Sequence, residues 1–274
     1  MNRQAHTFSE FHPVVSLLYF VAILGFSMFI MHPIALVISF SCAGIYAIYL
    51  NGKAAITSLK YMIPLLLLTA ILNPLFNHRG VTILAYLPNG NPLTLESITY
   101  GIAAAIMLIT VITWFTCLNK IITGEKLVYL FGRVSPALAL ILAMSLRFVP
   151  RFIAQMRVIS HAQKCIGQKR GIKTISILLT WALENAIETA DSMKARGYGL
   201  PNRTAFSVFR FRKRDGYAIA YISTCIICIT WSAVTGALYF RYFPTIGGNE
   251  SSTPLAFIAY LALGILPIAV NFKT

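Results

Sequence analysis

Long apolar runs separated by short polar breaks dominate the chain. Val14 to Met31 and Pro33 to Leu50 are both of membrane-spanning length with only His32 between them, which predicts a tight helical hairpin. Asn51-Gly52-Lys53 ends the second run, and a third, from about Tyr61 to Phe76, carries Pro64 and Pro74 and is expected to be short and kinked. After Asn77-His78-Arg79-Gly80 the character changes. Val81 to Leu87 is β-prone and Pro88-Asn89-Gly90-Asn91-Pro92 is turn-forming, so a small extramembrane hairpin is expected. Thr94 with Ser97 is placed to cap a fourth span, Ile98 to Leu118. Two further runs, Tyr217 to Phe240 and Pro254 to Val270, close the pattern, joined by a loop whose charges are Arg241 and Glu250.

Between the fourth and fifth runs the pattern breaks. Pro136 suits the first position of a helix that is expected to run to about Cys165, bent near Pro150. Arg147 and Arg151 are one turn apart on it, followed by Arg157, His161 and Lys164, while Phe148, Phe152 and Met156 continue an apolar side. A second helix, Ile172 to Arg196, starts apolar and then stacks Glu184, Glu188 and Asp191 on one face. The two stripes are expected to pair, the acidic one against Arg147, Arg151 or Arg157. A membrane-surface helix drawn to anionic lipid is the alternative reading of the basic stripe.

Composition turns this pattern into a class. Of 274 residues, 57% are hydrophobic and 11% charged, where soluble domains carry roughly 25% charge. An all-α, polytopic membrane protein with about six transmembrane helices and two long cytoplasmic helices is predicted. Its expected division is residues 1–118, a membrane region of about four spans; 119–215, the cytoplasmic helices; and 216–274, the last two spans. The first twelve residues are polar, and no small-residue cleavage site follows the next apolar run, so that run is expected to be a retained span. The net charge is +15, and Lys120 to Asp215 holds 17 of the 23 Lys and Arg but 5 of the 8 Asp and Glu. Arg3, Lys53, Lys60, the basic segment and Lys273 all fall on one face of a six-span arrangement. By the positive-inside rule that face, with both termini, is the cytoplasm.

Candidate chemistry is absent from the spans. Asp, Glu, Lys and Arg are missing from the apolar runs, whereas a self-contained pump or ion-coupled carrier needs ionisable groups at membrane depth. Cys42, Cys117, Cys165, Cys225 and Cys228 are an odd, scattered set that does not suggest a disulfide framework, and Cys225 with Cys228 lacks further Cys or His to complete a metal site. No paired nucleophile and base and no Gly-rich phosphate loop appears. No catalytic residue, metal or cofactor is expected of this chain. The basic charge alone also fits a membrane anchor or scaffold for a cytoplasmic partner, but the interleaved acids argue against nucleic acid.

The most organised stretch is Asp191 to Pro201. Helix-forming residues stop abruptly in Gly197, Gly199 and Pro201, leaving Arg196 on the last turn. In isolation this is a basic helix end complementing the macrodipole. In context, Met193 followed by Ala195-Arg196-Gly197-Tyr198, after Ser145-Leu146-Arg147-Phe148-Val149-Pro150 and before the last spans, resembles the T component of energy-coupling factor (ECF) transporters of bacterial and archaeal cell membranes. The likeness covers most of the chain. It implies two coupling helices ending in Ala-Arg-Gly tips that dock on ABC-type ATPases. Ala195, Arg196, Gly197 and Tyr198 form the second tip, and Lys164, Cys165, Ile166 and Gly167 stand at the first, with Ile166 where the family has arginine and Lys169-Arg170 close by. The implied partners are two ATPases and a small membrane-embedded substrate-binding S component taking up a vitamin or metal ion. This chain would transmit movement without binding substrate.

Overall fold

The structure, a computed structural model, describes residues 7–86, 92–167, 171–198, 209–248 and 254–272. Among them are nine α-helices and two short β-hairpins: α1 (Pro13–Phe29), α2 (Pro33–Asn51), α3 (Lys53–Phe76), β1 (Ile83–Tyr86), β2 (Pro92–Thr94), α4 (Leu95–Ile121), α5 (Gly124–Val134), α6 (Pro136–Cys165), α7 (Ile172–Ala195), α8 (Lys213–Val234), β3 (Phe240–Arg241), β4 (Gly247–Gly248) and α9 (Pro254–Phe272). The fold is nearly all-helical, as expected. The described residues fall into two units, residues 1–123 with 210–274, and residues 124–209.

In the first unit the polar breaks do the predicted local work. Each of the first two helices opens on proline behind a histidine cap: His12 Nδ1 accepts from the Val14 N–H and His32 Nδ1 from the Ile34 N–H, each at 3.3 Å. Thr94 caps α4 by accepting from the Ser97 N–H at 3.3 Å. β1 pairs antiparallel with β2, so the predicted hairpin forms, although its turn, residues 88–91, lies outside the described residues. Glu96 was not singled out from the sequence, yet it ties this hairpin down. Its Oε1 accepts from the Val81 and Thr82 N–H groups and from the Thr82 hydroxyl.

α4 packs against α1, α2 and α3, and α9 against α2 and α8. Trp114 of α4 is fully buried with Tyr19, Phe20 and Tyr46 around it at 6.1–6.4 Å between centroids. Its Nε1 donates to Ser39 Oγ at 3.3 Å, Ser39 is 2.9 Å from Ser27 Oγ, and Ser27 is 3.0 Å from the Tyr260 hydroxyl. Four helices, α1, α2, α4 and α9, thus meet in one buried hydrogen-bonded chain, the kind of polar contact that joins helices where lipid supplies no hydrophobic drive. The start of α8 is held to the N-terminal segment through Asp215, which accepts from the His12 and Arg212 N–H groups at 3.2 and 2.8 Å, and through an Arg214–Glu10 ion pair at 3.7 Å.

Six described helices are long and apolar enough to cross a membrane: α2, α3, α4, α6, α8 and α9. The number matches expectation but the set does not. α1 has 17 residues and is the shorter apolar helix, whereas α6, read from the sequence as a cytoplasmic helix, qualifies because its charges are spaced widely behind a long apolar opening. α3 starts at Lys53 and continues through both prolines as a 24-residue helix, longer than the sequence suggested.

In the second unit α5 packs on α6 and α6 on α7. α5 was not anticipated: 11 residues long, it lies between two stronger patterns.

Candidate functional site

The two helix ends singled out by the sequence have the same backbone construction. α7 ends at Ala195, with Arg196 as C-cap and Gly197 at φ 74°. The Gly197 N–H donates to the Lys194 carbonyl at 2.9 Å and the Tyr198 N–H to the Met193 carbonyl at 3.1 Å, the pair of bonds that closes a Schellman motif. α6 ends at Cys165, with Ile166 as C-cap and Gly167 at φ 77°. The Gly167 N–H donates to the Lys164 carbonyl at 3.0 Å. Glycine is required at both places because a side chain in this left-handed region meets its own backbone. The structure therefore brings Ile166 to the position on α6 that Arg196 holds on α7. Both side chains are exposed, Ile166 at 76% of its area. Neighbouring Pro201, Lys169 and Arg170 lie outside the described residues.

Between the tips, α6 and α7 pack through apolar and small polar side chains. Phe148 stacks on Phe152, and Phe152 meets Trp181 edge to face with centroids 5.8 Å apart. Near the turn joining the helices, Gln163 and Thr174 are buried and the Thr174 hydroxyl donates to Gln163 Oε1.

The predicted stripe pairing is not what the structure contains. Glu184, Glu188 and Asp191 are exposed and make no ion pair among the described residues. The face that α7 turns to α6 carries Thr189, Ser192, Met193 and Arg196. At 3.6 residues per turn the acidic residues sit roughly 90–150° away from it. Arg147 and Arg151 line the α6 side of that contact, and Arg157 lines a separate cleft with Ser160, His161 and Thr174. Aromatic burial outweighs exposed ion pairs in choosing the face, since exposed pairs contribute only about 0.2–1 kcal/mol each.

Lys126 on α5 is a feature the sequence did not signal. It is only 4% exposed, and its ammonium has no hydrogen-bond partner among the described residues. Burial brings its pKa down to about 8. No group of three or more His, Cys, Asp or Glu that could hold a metal ion occurs among the described residues.

Comparison with known proteins places these features. A family model described as a cobalt transport protein, CbiQ, matches residues 2–206, most of the chain and all of the second unit up to Phe206. The chain belongs to the CbiQ family. Curated relatives of the chain include proteins named energy-coupling factor transporter transmembrane protein EcfT. That of Leuconostoc gelidum subsp. gasicomitatum is 33% identical over 102 residues, that of Lacticaseibacillus paracasei 36% over 93, and that of Lactococcus lactis subsp. cremoris 31% over 111. These matches cover 33%, 30% and 36% of this CbiQ-family chain and 38%, 35% and 42% of the relatives. The likeness to ECF transmembrane components expected from the tip residues is thereby shown at the level of family.

Proposed function

We propose that this CbiQ-family chain is the transmembrane coupling subunit, the T component, of an ECF-type importer. It holds two ATPases at the tips of α6 and α7 and passes their ATP-driven movement to a substrate-binding S component. α1–α4, α8 and α9 are the crossing helices, and the basic second unit and both termini face the cytoplasm, in keeping with the positive-inside rule. The observation that carries this reading is Arg196: an exposed cation on a Schellman-capped helix end, with the same positive-φ glycine turn repeated on α6.

Arginine suits the task. Its planar fork makes bidentate, charge-assisted bonds to carboxylate and stays protonated in a desolvated cleft. Ala195, Gly197 and Tyr198 shape this tip. Lys164, Cys165, Ile166 and Gly167 shape the other, which docks by form and apolar contact. The chain acts as a non-catalytic subunit, with ATP hydrolysis and substrate binding residing in partners. The family's description makes cobalt ion the first cargo to test, ahead of a vitamin.

Purification of the tagged full-length chain from its native membrane tests the assignment. Two ABC-type ATPases and a small membrane protein are expected to copurify, with metal or vitamin uptake lost on deletion of the gene. Recovery of the chain with soluble partners lacking ATPase motifs, and with uptake intact in the deletion strain, would instead make it an anchor.

A further inference from the structure

With the acidic stripe pointing away from α6, two of the arginines it was expected to neutralise, Arg147 and Arg151, are left beside Arg196. Arg147 and Arg151, one turn apart on α6, and Arg196 of α7 line one open pocket of about 250 Å³ with the hydroxyls of Thr189 and Ser192. No ion pair or side-chain hydrogen bond to another described residue satisfies the three guanidiniums. Three guanidinium forks plus the Ser192 hydroxyl, with the Thr189 hydroxyl committed to the Asn185 carbonyl at 2.6 Å and no carboxylate among the described lining residues, form a receptor for an oxyanion carrying several acceptor oxygens.

The other part of the lining says which oxyanion. Leu140, Met144 and Phe148 complete the α6 wall of the same pocket. From there the same face of α6 runs towards its N-terminus through exposed Leu140, Ala137 and Pro136, on a helix whose opening is apolar enough to enter a membrane. Arg147 is the first charge after that apolar stretch. A cationic pocket continuous with an apolar helix surface matches an amphiphile with a phosphate head and hydrocarbon tail, the mode in which basic pockets between membrane helices hold anionic lipids. A free anion would have no use for the apolar wall.

We infer that Arg147, Arg151 and Arg196, with Ser192, form a binding site for the phosphate headgroup of an anionic phospholipid. Arg147 and Arg151 supply the part of this site that the coupling role does not use. The site is therefore tested on the full-length chain without ATPases, so that its failure and that of the coupling proposal are distinguishable.

The experiment is lipid retention. The purified chain is placed in nanodiscs of mixed phosphatidylcholine and phosphatidylglycerol, extracted with mild detergent, and the lipids left bound are counted by native mass spectrometry. Preferential retention of phosphatidylglycerol is expected. Arg147→Gln and Arg151→Gln should each weaken it about fivefold and together roughly thirtyfold, from the usual attraction of one basic residue to an anionic lipid surface. Lys194→Gln, which removes the same charge from a neighbouring position outside the pocket, should leave it unchanged. Arg147→Lys with Arg151→Lys should keep part of it, which separates charge from misfolding. Equal retention of the two lipids by the unaltered chain would overturn the inference. So would an equal loss in Lys194→Gln, which would reduce the effect to overall charge. Displacement of bound lipid by millimolar inorganic phosphate would assign the pocket to a free anion, and an occupant found to be a partner protein's acidic segment would assign it to a protein interface; either overturns the lipid reading.

Discussion

Burying Lys126 with no partner among the described residues sets a pH dependence. An ordinary lysine loses its proton near 10.5 and this one near 8, so between those values the unfolded chain binds more protons than the folded one. Stability from this residue is therefore lowest below pH 8 and rises as pH climbs from about 8 to 10.5. Lys126→Met should raise the melting temperature at pH 7 by an amount corresponding to on the order of 3 kcal/mol, and the gain should shrink through that window. Thermal unfolding of both proteins from pH 7 to 10 in one detergent measures this; a gain that stays constant with pH would refute it. Nothing in the sequence marked Lys126, because Gly124-Glu125-Lys126 looks like any polar helix start and only packing buries it. Arg196 was legible for the opposite reason. The Gly197 that stops its helix is adjacent in sequence, so the geometry of the tip is local.

At the scale of elements, helix limits were well marked and helix pairing was not. Pro136 and Gly167 bracket α6, and Gly197 closes α7, because proline at the first turn and glycine after the last are backbone requirements. Which faces of α6 and α7 meet depends on competition between stripes, and the aromatic stripe of Phe148, Phe152 and Trp181 won over the charged one. The matched caps carry a consequence. Since Ile166 is exposed and holds the same cap position on α6 as Arg196 on α7, Ile166→Arg should fold normally and, through the long apolar stem of arginine, keep most of the ATPase copurification, whereas Ile166→Asp, presenting a short charge to an apolar contact, should weaken it. Loss of the ATPases in Ile166→Arg at normal membrane levels would show that the α6 tip needs an apolar contact that no cation replaces.

For the whole molecule, apolar runs and the distribution of Lys and Arg revealed a multi-pass protein with a basic insertion, since lipid imposes length and polarity on every crossing helix. The order in which helices pack was not legible. Ser27, Ser39, Trp114 and Tyr260 come from four distant runs, and nothing local says that they converge. Ser39→Ala removes two bonds of that chain and should lower stability by about 0.6–1.7 kcal/mol, read as a fall in melting temperature of the detergent-purified protein; an unchanged value would mean that the bonds are replaced within the membrane.

On the proposed coupling role, assembly turns on one contact. If ATPases are gripped mainly through Arg196, removing its guanidinium leaves carboxylates buried and unpaired in their groove, a loss of about 2–5 kcal/mol or thirtyfold and more in affinity. Ile166→Ala removes only buried apolar area, about 1–3 kcal/mol. The deciding measurement is ATPase copurification with ATP-driven uptake for Arg196→Ala, Arg196→Lys and Ile166→Ala, at matched membrane levels. Coupling through Arg196 predicts that Arg196→Ala abolishes both, Arg196→Lys recovers little and Ile166→Ala keeps most. Near-normal assembly and uptake in Arg196→Ala, or a larger defect in Ile166→Ala, would contradict it.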